Sequence, residues 1–159
     1  MKNRLLIFLP FLLYTMSCKK DNSIAQNLDN NSNSEAKVTS VSVTSIENGY
    51  SFSVGIQSPD KGCDQYANWW EVISEDKKLI YRRVLAHSHV HEQPFVRSGG
   101  PVKITKEQKV YIRVHMNTTG YSTKIYTGSI AKGFKKSTLG NTFASNLETV
   151  EPLPNGCAF

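Results

Sequence analysis

What the sequence lacks sets its first bounds. It has no Gly-X-Ser-X-Gly elbow and no phosphate-binding glycine loop, which removes the common serine-hydrolase and nucleotide-binding signatures. No stretch carries a convincing helical period; Thr142 to Leu147 is the one weak helix candidate. Its longest apolar run, Leu5 to Leu13, is broken by Pro10 and is too short to span a bilayer as a stable helix. Its basic residues are dispersed, with Lys77-Lys78, Arg82-Arg83 and Lys135-Lys136 as adjacent pairs within the folded part. That pattern is an ordinary solvated surface near anionic headgroups, and no nucleic-acid module is expected.

What is present begins with an export pattern. Met1-Lys2-Asn3-Arg4 is a short basic start, and the apolar run after it ends at Thr15-Met16-Ser17-Cys18. A small residue before a cysteine at this place resembles the lipobox of bacterial lipoproteins, although Thr15 stands where leucine is commonest. The following Lys19-Lys20-Asp21-Asn22 looks like lipoproteins of the Bacteroidetes type. The resemblance implies that residues 1–17 are a signal peptide and that Cys18 is acylated and becomes the first residue of the mature chain. The protein would then be held at the bacterial cell envelope by lipid, facing the periplasm or the exterior. The alternative is an ordinary signal peptide that leaves Cys18 a thiol. Residues 18–36, rich in Asn, Ser and Asp, read as a flexible tether.

With Cys18 lipidated, two cysteines remain, Cys63 and Cys157. An oxidising compartment favours a disulfide between them over free thiols or thiolate ligands.

Residues 37–159 read as an all-β domain. Tyr50, Phe52, Val54 and Ile56 alternate with Ser51, Ser53, Gly55 and Gln57 after the Asn48-Gly49 turn. Further strands are expected at 38–46 before that turn and at 69–73, 79–91, 102–104, 110–116 and 124–130 after it, separated by turn chemistry. About seven strands with a tryptophan in the third resemble an antiparallel immunoglobulin-like or fibronectin III-like sandwich, with Trp70 as the buried tryptophan. Val110-Tyr111-Ile112-Arg113-Val114-His115-Met116 through Gly120 is similar to the sixth fibronectin III strand, shifted by one position in register. Gly62-Cys63-Asp64-Gln65-Tyr66, Trp69-Trp70-Glu71 and His87-Ser88-His89 also look like a family of bacterial secreted proteins of uncharacterised activity, a likeness covering most of the domain.

Three of the four histidines fall in His87-Ser88-His89-Val90-His91-Glu92. On an extended strand they would line one face about 7 Å apart. Parity places Trp70, Val72, Val110, Ile112, Val114 and Met116 inward. It places Trp69, Glu71, Ile73, Tyr111, Arg113 and His115 on the opposite face. The outer face of one sheet is therefore expected to present His87, His89, His91 and His115 with Glu71 and Trp69. Imidazoles with a carboxylate suit Cu(II) or Zn(II). Three residues at strand spacing span about 14 Å, too far for one ion, so His87 and His89 with His115, His91 or Glu92 form the expected ligand set. The reading is of metal binding rather than turnover. A second reading is a metal-independent surface, around Trp69, Glu71 and Tyr111, that contacts a protein or glycan. A third rests on a likeness to cupin metalloenzymes in His87-Ser88-His89, Glu92, Gly99 and His115. That likeness departs in the two-residue gap before Glu92, at Tyr81 where a glycine is usual, and in the missing Pro-X-Gly.

Overall fold

The computed structural model describes residues 35–158; the expected signal peptide, Cys18 and most of the tether lie outside the described residues. The described part is all-β, with nine strands and one short 3-10 helix. These are β1 (Lys37–Ile46), β2 (Gly49–Gln57), β3 (Ala67–Ser74), β4 (Leu79–Val84) and β5 (Phe95–Val102). Then come β6 (Val110–Met116), β7 (Gly120–Tyr121), β8 (Lys124–Ser129) and β9 (Gly133–Thr138), and the 3-10 helix Ser145–Thr149 closes the list. No described helix is long and apolar enough to cross a membrane.

The hydrogen-bonded order is β4-β3-β6-β8-β1-β2-β5, with β7 on β6 and β9 on β8. The sheet is mixed rather than wholly antiparallel as expected. β1 and β8 run parallel, and a single residue pair, Lys37 with Lys124, joins them. That junction divides the path into β4-β3-β6-β8 and β1-β2-β5. At the far ends Tyr81 of β4 lies against Gly99 of β5, where a Cβ would meet the Tyr81 hydroxyl at 2.5 Å. The ends of the nearly barrel-shaped sheet thus meet where the Tyr81 ring fills the space that Gly99 leaves open, and a side chain at 99 would displace that ring.

Local chemistry explains the strands. Glu47 and Asn48 form a two-residue hairpin between paired Ile46 and Gly49. Asn48 takes φ 64, which asparagine tolerates because its short polar side chain offsets the strain. The alternating series expected to face inward does so. Phe52, Val54, Ile56, Trp70, Val72, Val110, Ile112, Val114 and Met116 share one core, drawn from both runs of strands. The packing begins just before β1. Ala36 is buried, and Glu35 accepts hydrogen bonds from the Thr123 amide and hydroxyl.

Two local expectations are corrected. The strand from Leu79 ends at Val84, and residues 85–94 form a loop without strand pairing. The helix expected at 142–147 is displaced to a 3-10 turn at 145–149, entered through Ala144 in the left-handed region at φ 50.

Candidate functional site

Strand parity holds, but the face opposite the main core does not meet water. Trp69, Ile73, Tyr121, Ala144 and Leu147 form a second buried cluster, with Tyr111, Leu139, Phe143 and Leu153 packed at its margin. The segment after β9 crosses the outer face of β3, β4 and β6 and covers it. Trp69, Glu71 and His115, expected on an open surface, are therefore buried, and Tyr111 is half-buried.

At the centre of this interface one carboxylate serves two guanidinium groups. Glu71 Oε2 accepts from Arg82 Nε at 2.9 Å and Nη2 at 2.6 Å. Its Oε1 accepts from Arg113 Nε at 2.8 Å, and Arg113 Nη2 lies 2.7 Å away. Register places the three side by side, since Glu71 pairs with both Arg82 and Arg113 across the strands. The excess positive charge is met by backbone carbonyls of the covering segment. Arg113 donates to Phe143 and Ala144. Arg82 donates to Leu147, Val150 and Pro152. Arg82 also lies over Trp69 at 4.4 Å and Arg113 over Tyr121 at 3.2 Å. Arginine suits this place because its planar fork meets several acceptors at once. Burial raises the Tyr121 hydroxyl pKa, with the Glu71 charge acting in the same direction.

His115 belongs to this closed region. Its ring stacks on Trp69 at 3.7 Å, and Nδ1 lies 2.7 Å from Asn68 Oδ1. Donation from Nδ1 to that oxygen assigns the tautomer and leaves the lone pair on Nε2, 3.6 Å from Glu148. Burial, helped by the Arg82 and Arg113 charges, depresses its pKa to about 3. The ring is neutral at physiological pH.

The other three histidines occupy the 85–94 loop. His87 and His91 are exposed, while His89 is 3% exposed. The His89 ring stacks on Phe95 at 3.8 Å, and the His87 ring lies 4.5 Å away at a 35° tilt. Both ring nitrogens of His89 are buried without a hydrogen-bond partner. Among the described residues only the indole nitrogens of Trp69 and Trp70 share that condition. Burial, with the Arg97 charge next, lowers the His89 pKa to about 4. Glu92 is paired with Arg97 at 2.8 Å, which holds its carboxyl below the usual range.

The loop is fixed by a residue that the sequence reading passed over as turn chemistry. Asp60 Oδ2 accepts the His89 amide at 2.8 Å and the Ser88 hydroxyl at 3.4 Å. Asp60 Oδ1 takes the Ala67 amide at 3.0 Å. Gln93 Nε2 donates to the His89 carbonyl at 3.0 Å, and Gln93 Oε1 accepts the Ser58 amide. The Cys63–Cys157 disulfide is formed as expected, with sulfurs 2.08 Å apart. Within Ser58-Pro59-Asp60-Lys61-Gly62, nothing but an ionisable side chain in a turn marked Asp60.

The structure therefore brings His87 and His89 together and separates them from the Trp69–His115 stack. Among the described residues no three His, Cys, Asp or Glu side chains are grouped so as to hold a metal ion.

A lipoprotein name attaches to one similar protein. A protein of Halomicrobium mukohataei named "Putative lipoprotein" is 35% identical over 88 residues, covering 55% of this chain. The match spans 43% of that protein, so this chain corresponds to less than half its length. Neither a family model nor a solved structure matches the chain.

Proposed function

We propose that the chain is an exported, lipid-anchored domain of the bacterial cell envelope that binds a transition metal, Cu(II) or Zn(II), through the His87–His89 pair. Acylation at Cys18 supplies the anchor in this reading. Its support is the leader pattern together with a relative named as a lipoprotein. The strand order also supports the immunoglobulin-like relationship. β4-β3-β6-β8 and β1-β2-β5 correspond to the two layers of such sandwiches, and Trp70 of the third strand is buried between them.

The observation that carries the metal reading is His89. A neutral imidazole has one donor and one acceptor nitrogen, and neither is satisfied here. A buried polar group left so costs about 1–3 kcal/mol. A bound ion would use the free lone pair, and His87 beside it would turn its exposed ring to give a second nitrogen. Imidazole donors fit zinc and copper. Water, His91 or Glu92 would complete the shell, Glu92 only by releasing Arg97. His115 is withdrawn from the set by its burial against Trp69, and the cupin-like arrangement loses its fourth ligand with it. In this reading the role is binding or handling of the ion.

The test is titration of the untagged chain with Zn(II) and Cu(II), with elemental analysis of the purified protein. A stoichiometric ion lost in His87→Ala and His89→Ala supports the reading. Binding no tighter than about 10 µM would end it. A protein or glycan surface at Trp69 and Tyr111 has less support, because Trp69 is 3% exposed.

A further inference from the structure

The histidine loop is held from two sides, and both holds lead to the same disulfide. On one side Asp60 clamps the His89 amide and the Ser88 hydroxyl. Asp60 sits in the turn 58–65, which is closed by hydrogen bonds from the Lys61 amide to the Gln65 carbonyl and from Gln65 Nε2 to the Pro59 carbonyl. That same turn carries Cys63. On the other side the Ala158 amide donates to the Ala86 carbonyl at 2.6 Å, next to His87. Ala158 follows Cys157, which is bonded to Cys63. The loop from Ala86 to His89 is thus enclosed in a ring that runs through Asp60, the turn, the disulfide and the chain end. Little else holds residues 157–158: Cys157 Sγ makes one weak contact, to its own neighbour's carbonyl.

We propose that the Cys63–Cys157 disulfide is a redox latch on the histidine loop. Oxidised, it keeps the chain end against Ala86 and the His87 and His89 rings side by side. Reduced, it releases residues 157–158 and lets the loop open. For its consequence in metal retention the latch rests on the metal reading; for the loop itself it does not.

The reductant is a dithiol. One of its thiolates attacks a sulfur of the pair, the S–S bond breaks, and a mixed disulfide forms. Its second thiolate then displaces the remaining cysteine. Two electrons pass to Cys63 and Cys157, each sulfur takes a proton, and the reductant leaves as its own disulfide. Both cysteines are half-buried rather than enclosed, so a small dithiol reaches them.

The test compares the exported wild-type chain with Cys63→Ser/Cys157→Ser, which opens the ring without offering thiolates to a metal. Hydrogen exchange at the His89 and Glu92 amides is measured without metal, and Zn(II) affinity is measured separately, zinc being inert to thiol oxidation. The latch predicts that exchange at these amides speeds about tenfold or more and that zinc binding weakens about 10–100-fold, as for loss of a group that orients metal ligands. Unchanged exchange overturns the latch, whatever zinc does. Exchange that speeds at these amides beyond any change at the β6 amides, with no zinc binding in either form, upholds the latch and defeats the metal reading instead. Should the double serine variant fail to fold, Ala158→Pro keeps the disulfide and removes only the donor to Ala86. Faster exchange in that variant supports the latch, and unchanged exchange overturns it.

Discussion

Two regions of this domain hold unusual side chains at low exposure, and they differ in how well those side chains are partnered. Beneath the covering segment, Glu71, Arg82 and Arg113 spend their donors and acceptors on one another and on five backbone carbonyls. In the 85–94 loop, His89 is buried with neither ring nitrogen bonded. A saturated buried network fixes structure, because every group removed leaves another unpaired. The unsatisfied buried imidazole is the feature on which the metal proposal rests. Charge alone would have pointed to the arginine cluster as the site; hydrogen-bond accounting finds unpaired buried nitrogens at Trp69, Trp70 and His89, and of these only the imidazole has a lone pair to offer a ligand.

The sharpest way to break this comparison is Glu71→Ala. It leaves two buried guanidinium groups without their carboxylate, and a loss of about 3–5 kcal/mol in urea denaturation is expected. A loss under about 1 kcal/mol would mean that the carbonyls alone hold the arginines, and the region would no longer count as saturated.

Removing the disulfide comes next. Cys63→Ser/Cys157→Ser opens a closure across 94 residues. The chain-entropy model gives a cost on the order of 4 kcal/mol, checked by denaturation of both forms without reductant.

Acid gives the third effect. His115 and His89 titrate at about 3 and about 4 in the folded chain, against about 6.5 when unfolded. Between those values the unfolded chain binds more protons, so stability is full above pH 6.5 and falls as pH drops. By pH 4 each histidine removes on the order of 3 kcal/mol. Thermal unfolding of His115→Asn from pH 7 to pH 4 should show a shallower decline than wild type. An identical decline would assign the acid sensitivity to His89 and the carboxylates instead.

The smallest stability effect sharpens the contrast most. His87 is exposed and forms no hydrogen bond among those of the described residues, so His87→Ala should stay within about 0.5 kcal/mol of wild type. The same substitution should remove zinc binding in a calorimetric titration. Loss of stability without loss of zinc would reverse the assignment of the two regions.

Much of the fold was legible because strand alternation is local. Phe52, Val54 and Ile56 had to share a face, and so did Val110, Ile112 and Val114, whatever surrounded them. The disulfide followed from counting cysteines in a chain read as exported. The extent of the fourth strand was misread because Leu79 to His91 alternates well enough to extend, while its pairing stops at Val84. Asp60 was illegible because a turn aspartate that caps a loop more than 25 residues away has the same local sequence as one that meets water.

The sequence by itself determined which side chains share a face and that imidazoles were concentrated between residues 87 and 91. These follow from chain geometry and composition, which need no knowledge of neighbours. Only the tertiary structure decided which faces meet water. The segment after β9 folds back over Trp69, Glu71 and His115 and turns an expected surface into a second core. The tertiary structure also left His89 buried against Phe95 and unpartnered beside His87. Burial depends on what packs from elsewhere in the chain, and the period of two that orders a strand carries no information about that.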